Sequence, residues 1–158
     1  MLVVLVSMRI ATAFIFLVAA SASPAPQEHL NLDKEVALLG FDAVSYHQGV
    51  PKAGEGRWSY RHGGATYKFV SKENLETFKE DPERYAPAYG GWCAYAMLDG
   101  DKVEVDPLSF KLINGRTYLF YDGFWGDTLK RWNKKLQKAS ESSLVSQADE
   151  RWAKILSK

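Results

Sequence analysis

The chain contains a single cysteine, Cys93, and this count limits its folding more than any other feature. One cysteine cannot form an intramolecular disulfide, so the stability of the folded state depends on packing. Aromatic residues can supply that packing, because the chain has five Trp, eight Tyr and eight Phe. We therefore expect a domain held together by a large aromatic core.

The N-terminal residues are typical of a secretory leader. Arg9 precedes an apolar run over residues 10–20, and small residues follow at positions 20–22. This pattern predicts a cleavable signal peptide over residues 1–22, because the run is short for a membrane span. We expect a periplasmic or secreted protein with no stable membrane span after cleavage. The residues before Met8 either precede the true start or lengthen the run into an uncleaved anchor.

The remaining length and charge limit the domain count and the partners. The chain after the leader is long enough for one compact domain, and we expect a flexible lead-in over 23–39 and a single domain over 40–158. The formal charge of +1 loses Arg9 with the leader, so the balance indicates neither a nucleic-acid partner nor an anionic membrane. Basic residues cluster over 130–138, where we expect the solvated face of a helix.

Alternating bulky and polar residues predict two β-hairpins. In the first, residues 57–61 and 66–70 flank a glycine turn, and in the second, residues 110–113 and 116–121 flank an Asn-Gly pair. Asn-Gly between two such runs is the strongest short-range hairpin signal. Residues 40–47 alternate less regularly, and we expect a short strand or a turn there.

Helical patterns come after each hairpin. Ser71 can cap a helix that Asp81 and Pro82 end, and the segment from Ser140 to Ser143 can cap the last helix of the chain. Two apolar stripes near the C-terminus predict a helical pair for packing, and they consist of Trp125, Leu129, Trp132 and Leu136, then Leu144, Ala148, Trp152 and Ile155. We predict an α+β fold, in which a small antiparallel sheet from the two hairpins packs with helices and a C-terminal helical pair.

The stretch around Cys93 is the candidate site. Two glycines before the cysteine permit close backbone approach, and small residues leave room beside the sulfur. A free thiol in an oxidising compartment must be buried, bound to a ligand, paired with another chain or used chemically. We expect it beside a pocket walled by aromatic residues and by the segment 41–47. The predicted ligand-binding residues are Tyr46, His47, Gly90, Gly91, Trp92, Cys93 and Tyr95.

Several segments together carry a family resemblance. Residues 40–46 read GFDAVSY, residues 64–78 read GATYKFVSKENLETF, and residues 81–87 read DPERYAP. The pattern continues through YGGWCAYA at residues 89–96. The chain resembles the YHS domain family, in its exported single-domain branch, over most of the length after the leader.

The resemblance also implies a metal site that is altered here. Better understood members of the family place a metal-binding cysteine after the aromatic strand and a second one four residues later. Val70 and Asn74 occupy these positions, and neither suits zinc or copper. We expect neither to be a metal ligand, with Val70 buried beneath the sheet and Asn74 in the first helical turn. The exported branch is associated with selenoproteins, which implies that Cys93 resembles a redox position.

A different soft-metal site can be built from other residues. Cys93, His47 and Met97 offer thiolate, imidazole and thioether ligands, which favour copper(I). Met97 is four residues beyond Cys93, so a helical turn would place both sulfurs on one face. The alternative is that Met97 fills the core. The histidines are not paired at metal-ligand spacing, which favours surface or structural roles for each of them.

Three functions are consistent with these features. The chain is a non-enzymatic module that binds a ligand or soft metal at Cys93, a redox protein or sensor that uses the Cys93 thiol, or a structural or interaction module with an inert cysteine. A redox enzyme would usually carry a resolving cysteine, and the chain has none. This favours the binding module over an enzyme, with a small ligand, copper or another soft metal as its candidate ligand.

Overall fold

The structure is a computed structural model that describes residues 25–158. The signal peptide predicted over residues 1–22 lies outside the described residues. The fold is α+β, as the sequence predicts, with helices packed on small sheets. Within the described range, no helix is both long enough and apolar enough to cross a membrane.

The first sheet contains the glycine-turn hairpin and part of the predicted lead-in. Its strands are β1 (Leu32–Asp33), β2 (Val36–Ala37), β3 (Glu55–His62) and β4 (Ala65–Phe69). The sheet order is β1-β2-β4-β3, and β2 pairs with β4 in parallel through Val36 and Thr66. The prediction of a flexible segment over 23–39 is therefore wrong for β1 and β2, because backbone hydrogen bonds hold these residues in the sheet.

The second hairpin forms where the Asn-Gly pair predicts it. Strands β5 (Asp106–Ile113) and β6 (Arg116–Phe120) are joined by Asn114 and Gly115, with φ values of 51° and 74°. Positive φ at both central residues is the geometry that Asn-Gly favours in a two-residue turn. The two hairpins lie in separate sheets rather than in one. Cys93 forms a parallel bridge with Leu119 of β6, on the edge that β5 leaves open.

Six helices complete the described chain, together with a two-stranded tip. The helices are α1 (Ala43–His47), α2 (Lys72–Glu80), α3 (Pro82–Tyr85), α4 (Ala94–Met97), α5 (Thr128–Lys135) and α6 (Glu141–Leu156). Strands β7 (Asp122–Gly123) and β8 (Gly126–Asp127) form the tip. Ser71 and Ser140 cap α2 and α6 by accepting backbone hydrogen bonds, as the sequence indicates.

Helix α1 replaces the strand or turn expected over residues 40–47. Asp42 caps this helix, because its carboxylate accepts from the backbone N–H groups of Val44 and Ser45 at 2.8 and 3.3 Å. Alternation in a segment this short does not separate a strand from a one-turn helix, and the cap decides for the helix.

Two hydrophobic clusters divide the interior. The first packs β4 against α1 and α2 around Phe69 and Phe78, and the second packs β6 against α4 and α6 around Trp132. Both C-terminal helices contribute the core stripes that the sequence predicts, with one exception. Trp125 is 75% exposed, because it lies in the tip that precedes α5 and not on the helix itself.

Candidate functional site

The glycines before Cys93 make the close approach that the sequence predicts. They belong to a 3-10 turn over Ala88–Gly91, in which Gly90 has a φ of 62°. A Cβ on Gly90 would lie 3.1 Å from the carbonyl oxygen of His29, so a larger residue would push the N-terminal segment away. The indole N–H of Trp92 donates to the same His29 carbonyl oxygen at 2.7 Å.

Cys93 is sealed inside the molecule. Its exposed fraction is 0%, and its Sγ lies 3.3 Å from Oγ1 of Thr128. The Thr128 hydroxyl donates its own proton to the carbonyl oxygen of Tyr121 at 2.8 Å. Thr128 has only one O–H, so the Cys93 S–H is the donor in the first contact. The shielding expected for a free thiol is present, with a protein hydroxyl as the partner.

Trp92 and Tyr95 do not enclose the thiol in a shared cavity. Each ring is half-buried and contacts a surface cation: Lys102 Nζ lies 5.9 Å from the Trp92 ring centroid, and Lys135 Nζ lies 5.7 Å from that of Tyr95. Tyr46 is fully buried and donates its hydroxyl to the carbonyl oxygen of Pro107 at 2.9 Å. Burial, with the nearby Asp106 carboxylate, raises the pKa of Tyr46.

Two of the candidate metal ligands share one helical turn, because the Met97 N–H donates to the Cys93 carbonyl oxygen at 3.0 Å, whereas His47 has a separate set of contacts. His47 places Nε2 3.3 Å from Oγ1 of Thr117 and packs its ring on Tyr85. Burial and then the Arg84 guanidinium lower the pKa of His47. Met97 is fully buried in the cluster around Trp132. No group of three or more His, Cys, Asp or Glu able to hold a metal ion occurs between residues 25 and 158.

A buried carboxylate that the sequence did not single out lies at the centre of the family-like segments. Asp42 is 0% exposed, and its Oδ2 accepts from the backbone N–H of Val70 at 2.9 Å and from the Asn74 side chain at 2.7 Å. Val70 is half-buried rather than buried as predicted, and Asn74 lies in the first turn of α2 as predicted. Val70 and Asn74 therefore share one acceptor, Val70 through its backbone N–H and Asn74 through its side-chain amide.

A cavity of about 210 Å³ lies where the two hydrophobic clusters meet, and we call it the seam cavity. Most of its wall is apolar, and this part of the wall includes Ala65, Tyr67, Ala86, Tyr89, Trp152 and Leu156. Gly90 also lines it, and it is the one predicted ligand-binding residue in that wall. Cys93, Trp92, Tyr95 and the segment 41–47 do not line it, so the seam cavity is not the pocket predicted beside the thiol.

The side chains of His62, Glu83 and Arg116 also line the seam cavity. His62 Nε2 lies 2.8 Å from Glu83 Oε1, and Arg116 Nη1 lies 3.4 Å from Asp149 Oδ1. The Arg116 side chain is 42% exposed and that of Glu83 is 53% exposed, so both charged groups of the lining also reach solvent. A mainly apolar wall with a few polar groups is the usual composition of a small-molecule site.

Tyr89 connects the glycine turn to the cavity. Its φ of 55° is left-handed, a conformation that costs about 1–2 kcal/mol for a residue with a Cβ. Its ring packs against Trp152 and under the Arg116 guanidinium, 5.5 Å from the ring centroid. Burial and then the Asp149 carboxylate raise the pKa of Tyr89. Its phenol therefore stays neutral at physiological pH and donates to the carbonyl oxygen of Val145.

Tyr67 presents a second neutral phenol to the cavity. Burial and then the Glu83 carboxylate raise the pKa of Tyr67, so it is a hydrogen-bond donor and not a charge at neutral pH. The sequence pattern indicates a turn residue at His62 and a core residue at Trp152, and it does not single out Arg116. Their separation along the chain leaves no local motif, so only contacts in the folded chain group them.

Comparisons of the chain with family models, with curated proteins and with solved structures find no match.

Proposed function

We propose that this chain is an exported, non-enzymatic binding module of the YHS type that holds a small, mainly apolar ligand in the seam cavity. The observation that carries the proposal is the cavity of about 210 Å³, whose mainly apolar wall also includes the charged side chains of Glu83 and Arg116. The YHS-like segments and the leader support the family and the export, and they do so through the sequence alone.

The volume limits the size of the ligand. A dry apolar cavity of about 150 Å³ accepts benzene, so about 210 Å³ suits one substituted ring or a short branched chain. Tyr67 can offer a neutral hydroxyl, and Arg116 can offer guanidinium N–H groups. We therefore propose a ligand with one ring-sized apolar part and one acidic or hydrogen-bonding group.

We place this ligand in the seam cavity and not at Cys93. The thiol is fully buried and donates to Thr128, so a ligand at the sulfur would have to displace a protein hydrogen bond and open the core. The same contacts favour an inert, structural cysteine over a redox thiol, because thiol chemistry needs access to the sulfur. Ligand binding and an inert cysteine are compatible in one module.

The test uses benzoate and benzyl alcohol as probes and monitors backbone amide shifts by NMR. We expect both probes to change the backbone amide chemical shifts of Ala65, Tyr67 and Leu156, because these residues line the cavity. Ala86→Leu should abolish the shifts by filling the space. Ala153→Leu is the matched control, because Ala153 is exposed on α6.

The charge at the cavity is tested with Arg116→Gln. We expect benzoate to bind on the order of tenfold more weakly, since a hydrogen bond to a charged group contributes about 1.5–3 kcal/mol. Benzyl alcohol should bind as before. Neither probe binding at all, or shifts that survive in Ala86→Leu, would contradict the proposal.

A further inference from the structure

The tip between β7 and β8 exposes two large aromatic side chains. Phe124 is 90% exposed and Trp125 is 75% exposed, and they form the two-residue turn of this short hairpin. Their rings pack edge to face, with centroids 5.0 Å apart. They are the two most exposed large apolar side chains among the residues that the structure covers, and they are adjacent.

Hydrogen bonds fix the backbone of the tip, although the Phe124 and Trp125 rings are largely exposed. Trp125 donates its backbone N–H to the Tyr121 hydroxyl at 3.2 Å, and its carbonyl oxygen accepts from Arg131 Nη2 at 2.7 Å. Asp122 pairs with Asp127 across the two strands. A turn fixed by its backbone presents its side chains at a low cost in conformational entropy when a partner binds.

Basic side chains lie directly beyond the tip. Exposed cations occur along α5 and just after it, at Lys130, Arg131, Lys134, Lys135 and Lys138. Two of them contact the tip hairpin itself, because Arg131 binds the Trp125 carbonyl and Lys130 pairs with Asp127 at 3.1 Å. The near-neutral charge of the whole chain therefore conceals a local basic surface beside an aromatic projection.

We propose that the tip and the basic face of α5 form a docking surface for an anionic lipid membrane. Aromatic side chains partition into the headgroup boundary, and lysine or arginine near the surface adds about 1 kcal/mol each with anionic lipid. A single-stranded nucleic acid would need a groove with ring faces open for stacking. Here the rings project from a convex turn and lie at 87° to each other, which suits insertion into a lipid boundary better.

The sequence alone predicts no anionic-membrane partner, because that inference uses the total charge. The docking surface depends on where the charges lie. Surface adsorption also differs from crossing the bilayer, so it agrees with the absence of a spanning helix between residues 25 and 158.

The experiment measures binding of the full chain to vesicles by sedimentation. Vesicles of mixed phosphatidylglycerol and phosphatidylcholine are compared with vesicles of phosphatidylcholine alone, at low and high salt. We expect binding to the anionic vesicles that weakens with added salt. The double variant Phe124→Ala/Trp125→Ala should bind on the order of tenfold or more weakly, since burial of one large apolar side chain contributes about 1.5–3 kcal/mol.

Matched variants separate the tip from general hydrophobicity and charge. Leu108→Ala removes another exposed apolar side chain, 62% exposed on β5, and should bind as the wild type does. Lys134→Gln/Lys138→Gln should weaken anionic binding severalfold and leave binding to phosphatidylcholine unchanged. All variants should unfold at the wild-type temperature, because the altered side chains are exposed.

Several results would overturn the proposal. Equal binding to both kinds of vesicle would show that the surface does not select anionic lipid. Unchanged binding in the tip variant would assign the membrane affinity to another part of the chain. Tip-dependent binding to a single-stranded oligonucleotide, without binding to vesicles, would assign the surface to nucleic acid. Failure of the benzoate test leaves this proposal standing, since the tip and the seam cavity share no residue.

Discussion

The sealed polar centres at Asp42 and Cys93 contrast with the seam cavity. Both centres are 0% exposed, and each polar atom there has a protein partner. The seam cavity has polar groups too, but space and solvent lie beside them. The difference indicates that a motif with chemically reactive residue types can serve packing, while the space for a ligand forms where two cores meet incompletely.

The largest expected effect is at Asp42. Asp42→Ala leaves the N–H groups of Val44 and Val70 and the Asn74 amide without their buried acceptor. We expect a loss on the order of 4 kcal/mol in the free energy of unfolding, because each orphaned donor costs about 1–3 kcal/mol. Urea unfolding measures this loss.

Asp42→Asn provides the graded control for this centre. It keeps the shape and one acceptor oxygen, so we expect a smaller loss than for Asp42→Ala. If both variants are as stable as the wild type, Asp42 is not a sealed structural centre, and the contrast with the seam cavity fails.

A moderate effect is expected at Cys93. Cys93→Ala removes the S–H that donates to Thr128 and leaves a small void in the core. We expect a loss of about 1–3 kcal/mol, whereas Cys93→Ser should lose less because its hydroxyl can donate to the same oxygen.

Thiol accessibility tests the same residue in the wild type. Reaction of Cys93 with a disulfide reagent should be slow in water and should accelerate with urea as the chain unfolds, because the sulfur is fully buried. Rapid reaction of the folded protein would show that the centre is open and would make Cys93 a candidate functional thiol again.

The smallest effect is expected at His47, which is only partly sealed. Burial and the Arg84 guanidinium lower its pKa in the folded state, so the unfolded chain binds the proton more tightly. The stability from the neutral ring is present above the unfolded pKa of about 6.5 and is lost as the pH falls through the lower folded pKa. His47→Gln should therefore show a shallower decline of the urea midpoint from about pH 7.5 to about pH 5. A slope identical to that of the wild type would show that burial of His47 does not contribute to the pH dependence of stability.

The sequence by itself determined the elements whose signals are local. The Asn-Gly turn, the Ser71 and Ser140 caps and the two C-terminal stripes each depend on residues a few positions apart, and the structure has all of them except Trp125 of the first stripe. The alternation of residue types gave a wrong prediction for residues 40–47, because the Asp42 cap outweighs weak alternation in so short a segment. The helical spacing of the first stripe also assigned Trp125 to the core, although α5 begins only at Thr128.

Only the tertiary structure decided where the polar groups of Cys93 and Asp42 find their partners and where space remains. The Trp92 indole reaches the His29 carbonyl across 63 positions of the chain, and Cys93 reaches Thr128 across 35. Such contacts depend on how the two hydrophobic clusters pack together, and no spacing within one segment encodes them. The seam cavity results from that packing, because rigid side chains at a boundary between two cores cannot fill every gap.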